Sequence, residues 1–435
     1  MSEGVLTVES SFARAEASRW RIAGLVSAAI AISYLDRQTL PWAIAAIQRD
    51  IPISNQVKAF LDSAFLITYG LMYIGGGRLA DFLGTRRGFL AIMLFWSLAC
   101  ASHGIAGSYG MPAVLGLPFA VLMLAGSRLL LGVGEGGGFP AATRVVTEWF
   151  PAEERSTAMG VINAGTAVGA VVAPPLIALV LTHGDWFGIA PWRSVFFLTG
   201  ALGLVWTLWW WISYRSPQGA PATRDAGPMI PLSTLLRYRE NWAIIIAKFL
   251  SDAAWYFYLF WLPKFLFDSF HLDIKTAGAI GWIPYAASGI GSVCGGALSS
   301  WLLQRGASVN LSRKLALGAS AALMPWVMLV PQMHSVGWVI FIFSLAFFGQ
   351  QSWSTLVMIL PTDLIDRRAV GTLAGLVGFG GAMGGVLLGQ IVGYLRDHGY
   401  SYTPALAISG SLHVIAFAVI CIGIPKLRAL DLARA

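Results

Sequence analysis

The sequence predicts an all-α integral membrane protein whose twelve transmembrane helices form two groups of six. The 435 residues are 57% hydrophobic and only 11% charged, whereas soluble chains carry roughly 25% charged residues. The mean hydropathy is +0.69, and apolar windows of about 20 residues or more recur along the chain, the length that crosses a hydrocarbon core as a helix. A polar stretch near the middle divides these windows into two equal groups.

The apolar windows give the bounds of the predicted spans, which must be helical because lipid offers no partner for free backbone N–H and C=O groups. The six spans of the first group are 21–47, 56–80, 88–108, 114–146, 156–182 and 191–214. The six of the second group are 241–267, 275–303, 313–331, 336–360, 368–394 and 402–426. The predicted organisation is an N-terminal arm (1–20), an N-terminal half (21–214), a Pro- and Gly-containing linker (215–240), a C-terminal half (241–426) and a tail (427–435).

The placement of lysine and arginine predicts the orientation of the spans. With the N-terminus inside, the cytoplasmic segments hold more than three times as many of these residues as the segments on the other side, as the positive-inside rule requires. Both termini and the linker are therefore predicted to be cytoplasmic. This topology accounts for the net charge of +8, so the charge does not indicate a nucleic-acid partner.

The connection after the second span, GGGRLADFLGTRRG, resembles the G-x-L-A-D-x-x-G-x-R-R signature of the major facilitator superfamily. Glycine permits a tight turn at a helix end, and aspartate can cap a helix N-terminus or meet an arginine at the cytoplasmic face. The resemblance implies a secondary transporter whose two halves rock about a central site. The residues that we assign to gating are Gly77, Asp81, Gly84, Arg86, Arg87 and Arg144.

A narrower resemblance covers nearly the whole chain. The segments YLDRQTL, RLLLGVGEGGGFPAATRVVTEWFPAEERSTAMG and KFLSDAAWYFYLFWLPKFL resemble the anion:cation symporters of that superfamily. The segment QQSWSTLVMILPTDLIDRRAVGTLAGLVGFGGAMGG is most similar to the bacterial hexuronate transporters. The resemblance implies a proton-coupled importer of a small organic anion, a hexuronate above all, in the bacterial inner membrane. The same scaffold also carries aldonates, tartrate and aromatic acids.

Two adjacent charges, Asp36 and Arg37, interrupt the first span. An ionisable group at this depth costs a few kcal/mol and normally faces a protein-lined cavity. Adjacent side chains leave a helix about 100° apart, so each of the two should meet a different neighbour. A planar guanidinium suits carboxylate recognition, and a carboxyl group in a semi-dry cavity suits reversible protonation. Arg37 is the candidate for anion binding and Asp36 for proton coupling; the alternative is a structural ion pair with another span.

The fourth span carries a second pair of charges, Arg128 and Glu135, which lie seven residues apart and so share one helix face. In the anion:cation symporters the matching carboxylates of the first and fourth spans are the proton sites, and the first-span arginine meets the substrate. The resemblance thus assigns Asp36 and Glu135 to proton coupling and Arg37 to substrate. Arg128 would favour the charged form of Glu135, unless the pair only clamps two helices together.

Four uncharged polar residues of the N-terminal half are further candidates for substrate binding. Tyr34 precedes Asp36 by two residues, and Tyr69 lies in the middle of the second span. Asn163 and Thr166 are one turn apart in the fifth span. Packing or an interfacial anchor is the alternative for the tyrosines, and ordinary interhelical hydrogen bonding is the alternative for the other two.

The C-terminal half is poorer in charge. Lys248 and Asp252 have the i, i+4 spacing of an intrahelical ion pair. Trp255 continues along the side of Asp252 and offers a face for a sugar ring, with lipid or core packing as the alternative. The tenth span adds the substrate-binding candidates Gln350, Gln351 and Trp353. Consecutive amides at membrane depth are costly unless they are hydrogen-bonded, which makes the two glutamines candidates for sugar hydroxyls.

Other classes of protein fit the sequence less well. An enzyme would need a nucleophile with its base or a metal cluster, and a primary pump would need a nucleotide-binding motif such as G-x-x-x-x-G-K-[ST]; we find neither in the sequence and predict no cofactor or metal. A channel would not need protonatable carboxylates coupled to an arginine, and a sensor usually carries a soluble output domain. The predicted partners are a small organic anion, protons and the lipid bilayer, with the chain acting as a monomer. Uncoupled facilitated diffusion remains an alternative to symport.

Overall fold

The computed structural model describes the backbone of residues 2–107, 118–151, 154–215, 232–365, 367–428 and 430. Side chains are described from residue 18 onward within these ranges, except at 76–82, 156, 187, 367 and 368. The described chain is a bundle of α-helices. The first seven are α1 (Ser2–Asp50), α2 (Asn55–Leu83), α3 (Thr85–Ser102), α4 (Phe119–Gly136), α5 (Gly138–Trp149), α6 (Arg155–His183) and α7 (Pro191–Ser213).

The remaining helices follow after the central stretch. They are α8 (Leu232–Leu235), α9 (Arg239–Phe270), α10 (Ile274–Gly281), α11 (Ile283–Gln304), α12 (Val309–Ala322), α13 (Val336–Leu364), α14 (Arg367–Asp397) and α15 (Thr403–Gly423). We refer to α1–α7 as the N-terminal helices and to α9–α15 as the C-terminal helices. Residues 216–231 of the predicted linker and most of the tail lie outside the described residues.

Eleven segments of the described chain are long and apolar enough to cross a membrane. The twelfth predicted span is the part of α1 that packs among α6, α7 and α9. Its middle carries the polar run Asp36–Thr39, which lowers its hydropathy. The polar run is buried inside the bundle. The prediction of an all-α membrane protein is confirmed, with eleven spans by hydropathy and length and α1 in the place of the twelfth.

Several predicted spans differ in detail from the observed helices. The helix that contains the first span already begins at Ser2, within the predicted arm. The fourth span is two helices, α4 and α5, which meet at Gly137. The eighth is divided at Trp282, just before a proline in the first turn of α11, and the ninth continues from α12 into a 3₁₀ segment, Met324–Gln332. Hydropathy alone does not mark such breaks, since both parts of each span are apolar.

Glycines set how closely the helices around the fourth span approach one another. A Cβ atom at Gly132 or Gly136 would meet the backbone of α2, and one at Gly134 would meet Trp96 of α3. Side chains at these positions would push α4 away from its neighbours. The close approach of α4 to α2 and α3 therefore places Glu135, which lies among these glycines, in the interior of the N-terminal helices.

The N-terminal and C-terminal helices meet along α2 and α14 and, on the other side, where α1 and α6 approach α9, α10 and α11. Direct bonds join them at the end where α2 begins. Asp397, the last residue of α14, accepts hydrogen bonds from the backbone N–H groups of Asn55 and Gln56 at 2.9 and 2.8 Å. The side chain of Gln390 also bonds Gln56 and Ser63 of α2. This end of the interface is held closed by polar contacts between the two sets of helices.

Candidate functional site

The centre of the candidate site is a buried ion pair between α1 and α4. Arg37 donates to Glu135 Oε2 from Nη2 at 2.9 Å and from Nε at 3.2 Å. The Ser33 hydroxyl donates to the same oxygen at 2.9 Å. Both charged side chains are at most 2% exposed. A buried charge of this kind is tolerated only when it is paired and hydrogen-bonded, so each of the two residues depends on the other.

Aromatic rings surround the Arg37 guanidinium. Its central carbon lies 4.6 Å from the ring centre of Tyr34, 5.3 Å from that of Phe65 and 4.4 Å from that of Tyr69. The Tyr69 hydroxyl is 3.1 Å from the hydroxyl of Tyr73. Cation–π contacts stabilise the charge without consuming its hydrogen-bond donors. The structure therefore places the predicted residues Tyr34 and Tyr69 beside Arg37.

Asp36 points away from this cluster, as the 100° offset between adjacent side chains predicts. It is fully buried, and neither carboxylate oxygen has a hydrogen-bond partner among the described residues. Trp96 and Cys100 of α3 and Thr199 of α7 offer it polar contacts that lie outside hydrogen-bond geometry. A buried carboxylate without hydrogen bonds is far more costly than the corresponding neutral acid. This environment therefore suits a group that holds a proton.

Arg128 lies on the same face of α4 as Glu135, but it does not donate to this carboxylate among the described hydrogen bonds. Glu135 accepts from Arg37 and Ser33 instead. Arg128 is 1% exposed, and its Nε and Nη2 have no hydrogen-bond partner among the described residues. Its guanidinium carbon lies 5.8 Å from the ring centre of Phe65. Arg128 also interacts electrostatically with Glu135. A second cation thus lies behind the ion pair.

The C-terminal helices contribute a connected polar network, which we call the α9 network and which consists of Lys248, Asp252, Gln350, Ser354 and His413. Lys248 Nζ is 3.0 Å from Asp252 Oδ1, which confirms the predicted intrahelical ion pair, and it donates to Ser354 Oγ at 2.7 Å. Gln350 Nε2 donates to Asp252 Oδ1 at 3.2 Å. Its Oε1 then accepts from His413 Nε2. Both ends of the Gln350 amide are therefore engaged within the protein.

Other predicted substrate-binding residues lie apart from the ion pair. Trp353 is fully buried in the core of the C-terminal helices and packs edge-on against His413, and Trp255 packs against Phe347. Asn163 is exposed, and its backbone carbonyl accepts a hydrogen bond from the Thr166 hydroxyl at 2.8 Å. The remaining candidate, Gln351, is half-buried on α13.

The predicted gating residues lie at the connection between α2 and α3. The side chains at 77 and 81 are outside the described residues, whereas Gly84 joins the two helices with a φ of 73°, a conformation that favours glycine. Arg86 donates to the Trp211 carbonyl at 2.7 Å, and Arg87 is exposed. Arg144 of α5 donates to the Thr85 hydroxyl at 2.9 Å. Hydrogen bonds thus tie the start of α3 to α5 and α7.

Sequence reasoning missed Ser33, Phe65 and Tyr73 of this centre. Phe65 and Tyr73 follow the same α2 face as Tyr69, and their i, i+4 spacing was the available signal. Tyr256 of α9 lies within electrostatic range of Arg37 and Tyr69, and it brings a C-terminal helix up to the site. A buried cation that is paired with one carboxylate and lies near aromatic rings from both sets of helices is suited to bind an anionic solute. This arrangement is typical of a membrane transporter.

Comparison with known proteins gives the family. Residues 26–389 match the family model of the Major Facilitator Superfamily, and the chain belongs to that family of transporters. It is 27% identical to the hexuronate transporter of Escherichia coli K12, with 96% of each chain covered. It is 32% identical to the galacturonate transporter of Dickeya chrysanthemi over 326 residues, 70% of this chain and 89% of the other.

A solved structure has the same fold. The crystal structure of a D-xylose-proton symporter matches with a TM-score of 0.73 at 14% identity, covering 94% of this chain and 99% of the other. At this identity the match establishes the fold alone. The family match and the sequence relatives confirm the resemblance to the superfamily and to its hexuronate and acid-sugar transporters.

Proposed function

We propose that this protein is a proton-coupled symporter that imports a hexuronate by alternating access. It works as a monomer in the bacterial inner membrane with both termini in the cytoplasm, and it does not alter its solute chemically. The observation that carries the proposal is the Arg37–Glu135 ion pair, buried in an aromatic cradle between α1 and α4. The named activities of the two sequence relatives, hexuronate and galacturonate transport, support the choice of substrate.

Substrate binding is an exchange of counter-ions on Arg37. The guanidinium remains charged at any physiological pH, so it requires an anion at all times. Glu135 supplies that anion in the observed structure. A uronate carboxylate that takes its place on Arg37 leaves Glu135 buried with the Ser33 hydrogen bond and the field of Arg128 alone. The loss of the direct ion pair is costly for the charged form. Proton uptake by Glu135 removes this cost, so that binding of the anion and binding of the proton favour each other.

Asp36 provides a second proton site next to the substrate arginine. It follows Tyr34 and precedes Arg37 on α1, and its carboxyl group lies in the interior of the N-terminal helices without a hydrogen-bond partner among the described residues. A rotation of α1 that moves Arg37 also moves Asp36, because the two are adjacent on one helix. A change of proton occupancy at Asp36 is thereby linked to the conformational change.

The hydroxyl-bearing end of the sugar faces the tyrosines. Tyr34 and Tyr69 lie beside Arg37 on the N-terminal side, and the Tyr73 hydroxyl bonds that of Tyr69. Tyr256 approaches from α9. Phenolic hydroxyls both donate and accept hydrogen bonds, as sugar hydroxyls do. The rings also supply apolar faces for the sugar. Contacts from both sets of helices to one solute allow binding to alter the way in which these helices pack.

Purified protein in liposomes tests this function. With an acidic exterior, galacturonate should accumulate inside above its external concentration, and a protonophore should abolish the accumulation. Counterflow without a pH gradient should persist. Gradient-independent uptake would identify a facilitator, and a preference for an aldonate, tartrate or an aromatic acid would change the substrate assignment.

A further inference from the structure

The Lys248–Asp252 pair lies at the same depth as the Arg37 cluster, as the contacts of α14 indicate. Gly378 of α14 packs on the Tyr73 ring, where an added Cβ would lie 3.0 Å from a ring carbon. Gly381, three residues further, packs directly against the Asp252 carboxylate. Three residues of helix span about 4.5 Å along the axis. Asp252 and the tyrosine cluster therefore border the same level of the interface, and Asp252 is within electrostatic range of Tyr34.

The α9 network makes this side of the site electrically neutral and rigid. Lys248 is 6% exposed and Asp252 7% exposed, so neither charge is stable there without the other. Gln350 and Ser354 satisfy further hydrogen bonds of the pair, and His413 fixes the direction of the Gln350 amide. Lys248 is thus the buried cation of the α9 network, and Asp252 is its counter-ion.

A second ion pair on the same helix shows that i, i+4 spacing alone does not create this arrangement. Lys264 and Asp268 are 3.1 Å apart, but they lie sixteen residues further along α9, near its end. Their side chains are 11% and 23% exposed, and Asp268 also contacts Arg396 and Tyr402. That pair sits at the closed end of the bundle. Only the Lys248–Asp252 pair of α9 lies at the depth of Arg37 within the described structure.

We infer that Asp252 limits the substrate to a single negative charge by occupying Lys248, so that the site accepts monocarboxylates and rejects dicarboxylates of the same sugar. This inference rests on the proposed function. A monoanion neutralises Arg37 and leaves the Lys248–Asp252 pair intact. A dianion brings a second carboxylate to the α9 side of the site. Lys248, the cation of the α9 network, already has a counter-ion there, and Arg128 lies on α4 among the N-terminal helices. One negative charge then remains buried and unpaired on the α9 side, which is strongly unfavourable.

The test is the substitution Asp252→Asn. The amide keeps an oxygen that accepts from Gln350 and Lys248, but it leaves the positive charge of Lys248 without a counter-ion. At neutral pH, competition against galacturonate counterflow in proteoliposomes should show a rise of about tenfold or more in the affinity for galactarate relative to galacturonate, the gain that a charge-assisted hydrogen bond provides. Asp268→Asn is the matched control and should leave this ratio unchanged.

Two further variants separate charge from shape. The double substitution Lys248→Gln with Asp252→Asn should lose the gain, since no free cation remains. Lys248→Gln alone leaves the negative charge of Asp252 unpaired, so it should weaken galactarate binding more than galacturonate binding. If Asp252→Asn does not reach the membrane, Lys248→Gln tests the inference in its place. An unchanged ratio in both single variants overturns the inference, as does a wild-type protein that prefers galactarate. A wild-type protein that binds neither anion overturns the proposed function before any variant is compared.

Discussion

Asp36 on α1 and Asp252 on α9 are both buried carboxylates at the candidate site, but their surroundings differ. Asp252 forms an ion pair with Lys248 and accepts a hydrogen bond from Gln350. Asp36 has no hydrogen-bond partner among the described residues, and the same holds for Glu135 Oε1 and for two nitrogens of Arg128. The N-terminal helices thus leave polar atoms of their charged residues unsatisfied, whereas the C-terminal helices satisfy both members of the Lys248–Asp252 pair.

The difference indicates a division of labour between the two sides. A charge that is fully hydrogen-bonded resists a change of protonation, because any change breaks several bonds at once. A carboxylate without hydrogen bonds, such as Asp36, changes its protonation at lower cost. Glu135 approaches that condition only when the substrate carboxylate takes Arg37 from it. We therefore expect proton coupling to depend on Asp36 and Glu135, and the α9 network to contribute recognition and rigidity. The predictions that follow test this division.

Substitution of the arginine that joins the substrate to the proton site should have the largest effect. Arg37→Lys keeps the charge but loses the planar fork that binds two oxygens. Galacturonate affinity should fall about 30-fold or more, because charge-assisted hydrogen bonds contribute roughly 2 kcal/mol. Arg37→Ala should be worse. Equilibrium binding to purified protein is the measurement, and wild-type affinity in Arg37→Lys would remove this residue from the role of carboxylate clamp.

Proton coupling should be lost, with binding retained, when Glu135 is made permanently neutral. Glu135→Gln has the shape of the protonated acid, so it should still bind galacturonate and exchange it in counterflow. It should fail to accumulate it against a gradient. Asp36→Asn should also abolish accumulation. Concentrative, protonophore-sensitive uptake by both variants would contradict the assignment of these two carboxylates to proton coupling. Asp252→Asn is the control variant, because it should still accumulate galacturonate.

Part of this site could be predicted from the sequence and part could not. Hydropathy predicts the spans, and helix geometry predicts that Asp36 and Arg37 diverge, because both depend on residues close in the chain. The bond between Arg37 and Glu135 was not predicted, because the seven-residue spacing on α4 draws attention to Arg128, whereas the partner comes from another helix. The α9 network joins three helices, α9, α13 and α15, so only the intrahelical pair Lys248–Asp252 could be anticipated.

A smaller effect is expected when the α9 network loses its hydrogen bond to α15. His413→Phe keeps a ring of similar shape but removes the donor to Gln350 Oε1. An unsatisfied buried acceptor costs about 1–3 kcal/mol, so the melting temperature in detergent should fall by several degrees. Galacturonate accumulation relative to the pH gradient should stay at the wild-type level. Loss of proton coupling in this variant would contradict the assignment of coupling to the N-terminal helices. His398 is exposed, so the control His398→Phe should change neither the melting temperature nor the accumulation.

The smallest effect concerns the closed end, where the two sides of the site are held together. Asp397 accepts from the N–H groups of Asn55 and Gln56, and so α14 caps the N-terminus of α2. Asp273 accepts from the Thr276 N–H at 2.7 Å and caps α10 within the C-terminal helices. Hydrogen bonding with Thr276 also lowers the pKa of Asp273. Each substitution to asparagine removes the charge that favours a helix N-terminus, and at Asp397 the effect is about 0.3–1 kcal/mol.

The two capping variants should therefore differ in where they act. Asp397→Asn should raise hydrogen–deuterium exchange in the first turn of α2 and shift the balance of conformations two- to fivefold toward opening at this end, because the lost contact joins the two sets of helices. Asp273→Asn should raise exchange only in the first turn of α10. Galacturonate affinity at Arg37 should change little in either variant. Equal effects of the two variants on α2 would mean that Asp397 does not hold this end closed, and that the Arg37 cluster and the α9 network are kept in register by their apolar contacts alone.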